Sequence, residues 1–166
     1  MHKCFYLICP TDCLEHAINN TFKYQNYFYS SLGNPFNYDS KALESISTIL
    51  KKYHIEEICF VLSMDNRIVL DALGNKEFSN IGTLHNFYNE IAIQKERSKI
   101  SFRRNNNRQF AVLSFYLNKK IKELELHITN VLNRSIKIGG KIYNKDKNTF
   151  TNIYSDLLLI EKYDLN

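Results

Sequence analysis

No stretch of this 166-residue chain approaches the roughly 20 consecutive apolar residues that a membrane-spanning helix requires. No spanning helix is therefore expected. The opening segment, Met1 to Pro10, has too short an apolar run for a secretory leader and no small-residue cleavage site. It reads instead as a buried strand, and the protein is expected in the cytoplasm. Cysteine is also scarce. Cys4, Cys9, Cys13 and Cys59 lie in or beside apolar segments, unlike the loop spacing of a disulfide-stapled secreted domain, so reduced thiols are expected. The chain has no internal repeat and no linker long enough to divide it. Its length suits a single domain, residues 1–166, around one core.

Charge is unevenly placed. The net charge of +5 includes one local concentration, Lys95, Arg97, Lys99, Arg103, Arg104 and Arg108, in an Asn-rich segment. Residues 95–108 are expected to be an exposed, mobile basic loop that could meet an acidic partner. Clustered guanidinium groups also suit phosphates. Phe102 and Phe110 alone, however, do not make a base-stacking platform, and nucleic acid is not an expected partner.

Hydrophobic periodicity places the elements. Lys3 to Ile8 is too short for a helix and rich in strand formers, and Pro10 ends it. Asp12 is then expected to cap a helix with Leu14, Ala17, Ile18 and Phe22 on one face. Tyr27 to Ser31 forms a second strand, broken by Gly33-Asn34-Pro35. Asp39 or Ser40 caps a clear amphipathic helix through Leu43, Ile46, Ile49, Leu50 and Tyr53, with His54 as a cation at its end. The unbroken apolar run Ile58 to Leu62 suits a parallel strand buried on both faces. A short helix over Ile68 to Leu73, stopped by Gly74, completes the order β-α-β-α-β-α, which predicts an α/β fold with a central, mainly parallel sheet flanked by helices. Further helices are expected over Leu84–Ile93 and Phe110–Leu132. A late strand, Ser135–Tyr143, and a hairpin mate, Thr149–Tyr154, follow, with Gly139-Gly140 marking a bulge or close packing.

Such sheets bind ligands beyond the carboxyl ends of their strands, where the strand order reverses. If the first and third strands are neighbours at that point, Cys9 to Asp12 faces Ser63 to Asn66 across a crevice, with Gly33-Asn34 alongside.

These segments, in this order, resemble the β-class carbonic anhydrases. That family places Cys-x-Asp-x-Arg after its first strand, a glycine-asparagine turn after the second and His-x-x-Cys after the third. Here the corresponding segments are Cys9-Pro10-Thr11-Asp12, Leu32-Gly33-Asn34 and Ser63-Met64-Asp65-Asn66, and Ile136 to Asn144 resembles the family's late strand. The resemblance implies a zinc site of which only Cys9 is retained. The family's histidine falls on Ser63 and its second cysteine on Asn66, both neutral oxygen donors in place of an imidazole and a thiolate. Asp12 lies one residue further from Cys9 than the family's aspartate, and Cys13 or Leu14 stands where the partner arginine would be.

The resemblance thus implies a non-catalytic member, a pseudoenzyme with a degenerate zinc site, serving as a binding, regulatory or assembly module. Cys9, Asp12, Ser63 and Asn66 would mark the vestigial site, with neither a catalytic residue nor a cofactor expected. It also implies a homodimer, although a first strand so near the start leaves no room for the N-terminal helical arm many members use. A protein partner or a small anion remains open. One alternative is a lyase or hydrolase that uses a rearranged zinc site of Cys9, Asp12, Cys13 and His16, or the Cys9 thiol with His16 or His54 as base. Another is a site for bicarbonate or a similar small anion formed by Ser31, Gly33, Ser63 and Asn66. His2, His85 and His127 are expected to be surface residues.

Overall fold

The structure, a computed structural model, describes residues 1–32, 40–101, 105–129 and 136–154. Among the described residues five strands form one sheet: β1 (Lys3–Ile8), β2 (Gln25–Ser30), β3 (Glu57–Ser63), β4 (Lys137–Asn144) and β5 (Thr149–Asn152). Their order is β2-β1-β3-β4-β5, with β5 alone antiparallel to its neighbour. The helices are α1 (Glu15–Thr21), α2 (Ser40–Lys52), α3 (Arg67–Leu73), α4 (His85–Ser101) and α5 (Asn105–Thr129). This is the expected α/β architecture. Central strands β1 and β3 are buried from their second residues onward, whereas edge strand β2 keeps an exposed or half-buried profile.

Side-chain alternation divides the core between the two faces of the sheet. Phe5 and Leu7 of β1 and Cys9 just after it, with Ile58, Phe60 and Leu62 of β3, pack in one cluster with Ile46 and Leu50 of α2 and with Leu113, Leu117, Ile121, Leu124 and Ile128 of α5. The expected α5 stripe is therefore its core face, while Leu132 lies outside the described residues. Tyr6 and Ile8, with Cys59 and Val61, pack on the other face against Leu14 and against Ile18 of α1. Full burial of one such aliphatic or aromatic side chain is worth roughly 1.5–3 kcal/mol, so the larger cluster dominates stability.

Several boundaries differ from the expected ones. β2 begins at Gln25, two residues ahead of Tyr27, and β4 runs from Lys137 in unbroken register with β3. There is consequently no bulge at Gly139-Gly140. Close packing explains Gly140, where an added Cβ would lie 2.7 Å from Ile153 Cδ1 and 3.3 Å from Ile121 Cδ1. The hairpin between β4 and β5 turns through Lys145 to Asn148, with Asn148 at φ 49° and Asn144 Oδ1 accepting from the Lys147 amide at 3.0 Å. The described parts of the basic segment are helical, and residues 102–104 lie outside the described residues. Residues 95–101 continue α4 and 105–108 begin α5; Lys, Glu and Arg favour the helix at 95–99, the Asn run 105–107 does not, and α4 is held against α5 by packing. Asp39 and the 33–35 turn lie outside the described residues.

Candidate functional site

The chain leaves β1 outward to β2, then crosses back to β3 on the other side of β1, which makes the gap beyond β1 and β3 the reversal point. After β1 the backbone makes a 3₁₀ turn, Pro10–Asp12, with proline at its start. Cys13 then takes the left-handed conformation at φ 50°, and α1 begins at Glu15 with Leu14 at its cap and no side-chain cap bond. Asp12 therefore does not cap α1. Its carboxylate turns across the gap to β3, accepting from the Ser63 backbone N–H at Oδ2 (2.9 Å) and from Asn66 Nδ2 at Oδ1 (2.8 Å).

Asn66 is fully buried and is the cap of α3, its Oδ1 accepting from the Val69 amide at 2.9 Å. Its amide nitrogen also lies 3.2 Å from Thr11 Oγ1, and that hydroxyl lies 3.1 Å from Cys9 Sγ. The Ser63 hydroxyl donates to the Asp65 carboxylate. Four of the residues singled out in the sequence, Cys9, Asp12, Ser63 and Asn66, thus meet in one network through Thr11. Thr11 and Asp65 were not anticipated, and no sequence signal distinguishes them from other turn residues.

A cavity of about 400 Å³ opens over this network. Thr11, Asp12, Cys13, Ser63, Asp65 and Arg67 are among its lining residues, as are Tyr143 and Lys145 from the end of β4 and the hairpin. Burial pushes the half-buried Asp12 carboxyl up to about 6; its hydrogen bonds from Ser63 and Asn66 pull the other way, and the Asp65 charge adds a smaller push upward.

The other anticipated residues do not join this network. His16, exposed on α1, places Nε2 2.8 Å from Asn20 Nδ2. His54 follows α2 and precedes β3, at the end of the sheet opposite Cys9. Cys9 is fully buried, and the exposed Cys13 directs its sulfur to the Pro10 carbonyl at 3.5 Å. Among the described residues no three or more His, Cys, Asp or Glu side chains are grouped to hold a metal, so the rearranged set of Cys9, Asp12, Cys13 and His16 is not assembled. The Ser31 amide donates to the Ile8 carbonyl at 2.9 Å, which sets that residue beside the carboxyl end of β1, but Ser31 does not line the cavity. Gly33 lies outside the described residues. His85 and His127 are exposed as expected, whereas His2 is half-buried between Glu56 (2.8 Å) and Glu57 (3.1 Å), and the hydrogen bond to Glu56 is the main cause of its raised pKa.

Solved structures of similar shape explain the frame. A carbonic anhydrase of the β class, CafA of Aspergillus fumigatus, superposes with a TM-score of 0.72 over 99% of this chain and 81% of its own, at 14% identity. The fold is that of the β-carbonic anhydrases. A tetrameric β-carbonic anhydrase from Sordaria macrospora gives 0.70 at 12% identity, over 92% of this chain and 80% of its own. The Coccomyxa enzyme in complex with acetazolamide gives 0.68 at 9% identity, over 92% and 72%. At these identities the likeness shows the fold alone. No family model matches the sequence, and no curated protein is significantly similar to it.

The side chains at the positions where the resemblance puts a zinc ion's ligands are engaged with one another. Asn66 commits its oxygen to Val69 and its nitrogen to Asp12 and Thr11, and Ser63 turns its hydroxyl to Asp65, so two of the three corresponding positions present neutral groups already engaged in hydrogen bonds. Among the described residues, no group of three or more His, Cys, Asp or Glu side chains could hold a metal ion. Nor, among them, is any helix long and apolar enough to cross a membrane.

Proposed function

We propose that this chain uses the β-carbonic anhydrase fold as a binding module and does not hydrate carbon dioxide through a bound zinc. The observation that carries this reading is the Asp12 carboxylate seated between Ser63 N–H and Asn66 Nδ2. An internal hydrogen-bond network occupies the place where the resemblance puts metal ligands. Hydration at neutral pH needs a water whose pKa is brought down to about 7, usually by a metal held on imidazole and thiolate ligands, and the neutral groups here do not supply that field. The cavity above the network, with Arg67 and Lys145 on its wall, suits a small polar ligand. Self-association, as a cytoplasmic homodimer, belongs to the same reading by analogy with the fold's known assemblies.

Elemental analysis of protein purified without metal affinity, alongside a carbon dioxide hydration assay, tests it. The expected result is substoichiometric zinc and hydration no faster than buffer. About one zinc per chain, with hydration lost in Cys9→Ala, would overturn it. Light scattering in solution tests the dimer.

A further inference from the structure

The network holds more than the loss of a metal site. A carboxylate is gripped at both oxygens by two donors that belong to other elements: the Ser63 amide at the end of β3 and the side-chain amide that caps α3. Neither donor depends on Asp12 for its position. Ser63 is held by the register of β3 with β4, in which it pairs with Tyr143, and Asn66 is fully buried with its oxygen anchored on the Val69 amide. Two N–H groups so fixed make a preorganised receptor for a planar anion, in which binding costs little further ordering. Asp12 reaches it from a separate turn, the one after β1, which also brings Thr11 Oγ1 to 3.2 Å from Asn66 Nδ2.

We propose that Ser63 N–H and the Asn66 amide form a carboxylate receptor whose tethered occupant is Asp12, and that a small external monocarboxylate takes the same place when the Asp12 side chain is removed. Formate and acetate represent the class. The inference deepens the reading of this place as a metal-free binding site and rests on it. Arg67 and Lys145 line the cavity through which the ligand enters and draw an anion to its mouth, while burial opposes the charge at the receptor itself, as it does for Asp12. Asp65 lines it too and opposes one, although its carboxylate is hydrogen-bonded by the Ser63 hydroxyl. Thr11 Oγ1, 3.2 Å from Asn66 Nδ2, offers a further hydroxyl at the rim.

Removal of the tethered carboxylate with chemical replacement is the test. Asp12→Gly opens the receptor, and its melting temperature is measured in formate, in acetate and in chloride at equal ionic strength and neutral pH. Formate is expected to raise it by about 3 °C or more over chloride in a saturable way, as a ligand that binds only the folded state must. Asp12→Asn, whose side chain still fills the space, is expected to show no such difference. Equal melting in formate and chloride for Asp12→Gly, or an equal formate effect in Asp12→Asn, overturns the proposal. If Asp12→Gly does not fold in chloride, refolding yield becomes the readout: recovery in formate supports the receptor, and failure in both salts overturns it. Zinc content, measured on the same preparations, reports separately on the metal-free reading, so the two can fail independently.

Discussion

Asn66 donates from Nδ2 to Asp12 Oδ1 at 2.8 Å across 54 residues of chain, tying the turn after β1 to the cap of α3. One buried amide thereby serves two purposes. It closes the gap beyond the two central strands, and it starts the helix that follows β3.

Removing that amide should cost more than an ordinary cap. Asn66→Ala loses the bond to Val69 and leaves Asp12 short of a donor, for an expected loss of about 2–3 kcal/mol. Asn66→Asp keeps a capping oxygen but sets a second carboxylate against Asp12, so it should be destabilised at neutral pH and recover as the pH becomes mildly acidic. Urea denaturation at the two pH values reads both effects. An Asn66→Asp protein as stable as wild type at neutral pH would show that the two side chains do not meet.

The Asp12 carboxyl is raised from 3.8 to about 6 because burial disfavours its charge. Between those values the folded protein holds a proton that the unfolded chain has already lost. The resulting stabilisation is complete below 3.8 and disappears as the pH rises through about 6. The melting temperature of wild type relative to Asp12→Asn should therefore fall across that window and level off above it. Parallel pH profiles for the two proteins would contradict the assignment.

Adjacent glycines of β4 should respond in opposite ways. Gly139 faces open space apart from Glu57 Oε1 at 3.9 Å, so Gly139→Ala should be neutral or stabilise by up to about 1 kcal/mol through the unfolded chain. Gly140→Val must displace Ile153 and Ile121, and a loss of about 1–3 kcal/mol is expected from overpacking. Thermal melts of the two variants suffice to compare them.

Thiol labelling should separate the cysteines. Cys13 is exposed, whereas Cys4, Cys9 and Cys59 are buried. In the native protein a maleimide should label Cys13 quickly and the other three only as the fold opens, with peptide mapping to locate the adduct. Burial also pushes the Cys4 thiol up to about 12, which keeps it in the unreactive protonated form. Rapid modification of Cys9 would mean that the turn over it opens readily.

Much of this architecture was legible in the sequence because it rests on local periodicity. The apolar run Ile58 to Leu62 reads as a strand buried on both faces and is one, and the Leu113, Leu117, Ile121, Leu124, Ile128 stripe reads as a helix face and packs as one. The meeting of Cys9, Asp12, Ser63 and Asn66 was legible too, since residues at the carboxyl ends of neighbouring parallel strands converge. The cap at Asp12 and the described parts of the basic segment differ from their readings for one shared reason. Asp12 reads as a helix cap and the segment from Lys95 to Arg108 as a loop, because composition ranks local options and does not see the competing partner in space. The donors that claim Asp12 lie more than 50 residues away, and the continuation of α4 is supported by packing against α5.

By itself the sequence determined the element order and which faces are apolar, and so the α/β class, because the periods of strand and helix are local properties of the backbone. It also placed a neutral amide, Asn66, just after the third strand. Only the tertiary structure decided what that amide does. Hydrogen-bond geometry across the gap between β1 and β3 turned Asp12 away from its own helix and into the grip of Ser63 and Asn66, a choice that depends on distances set by the packed sheet.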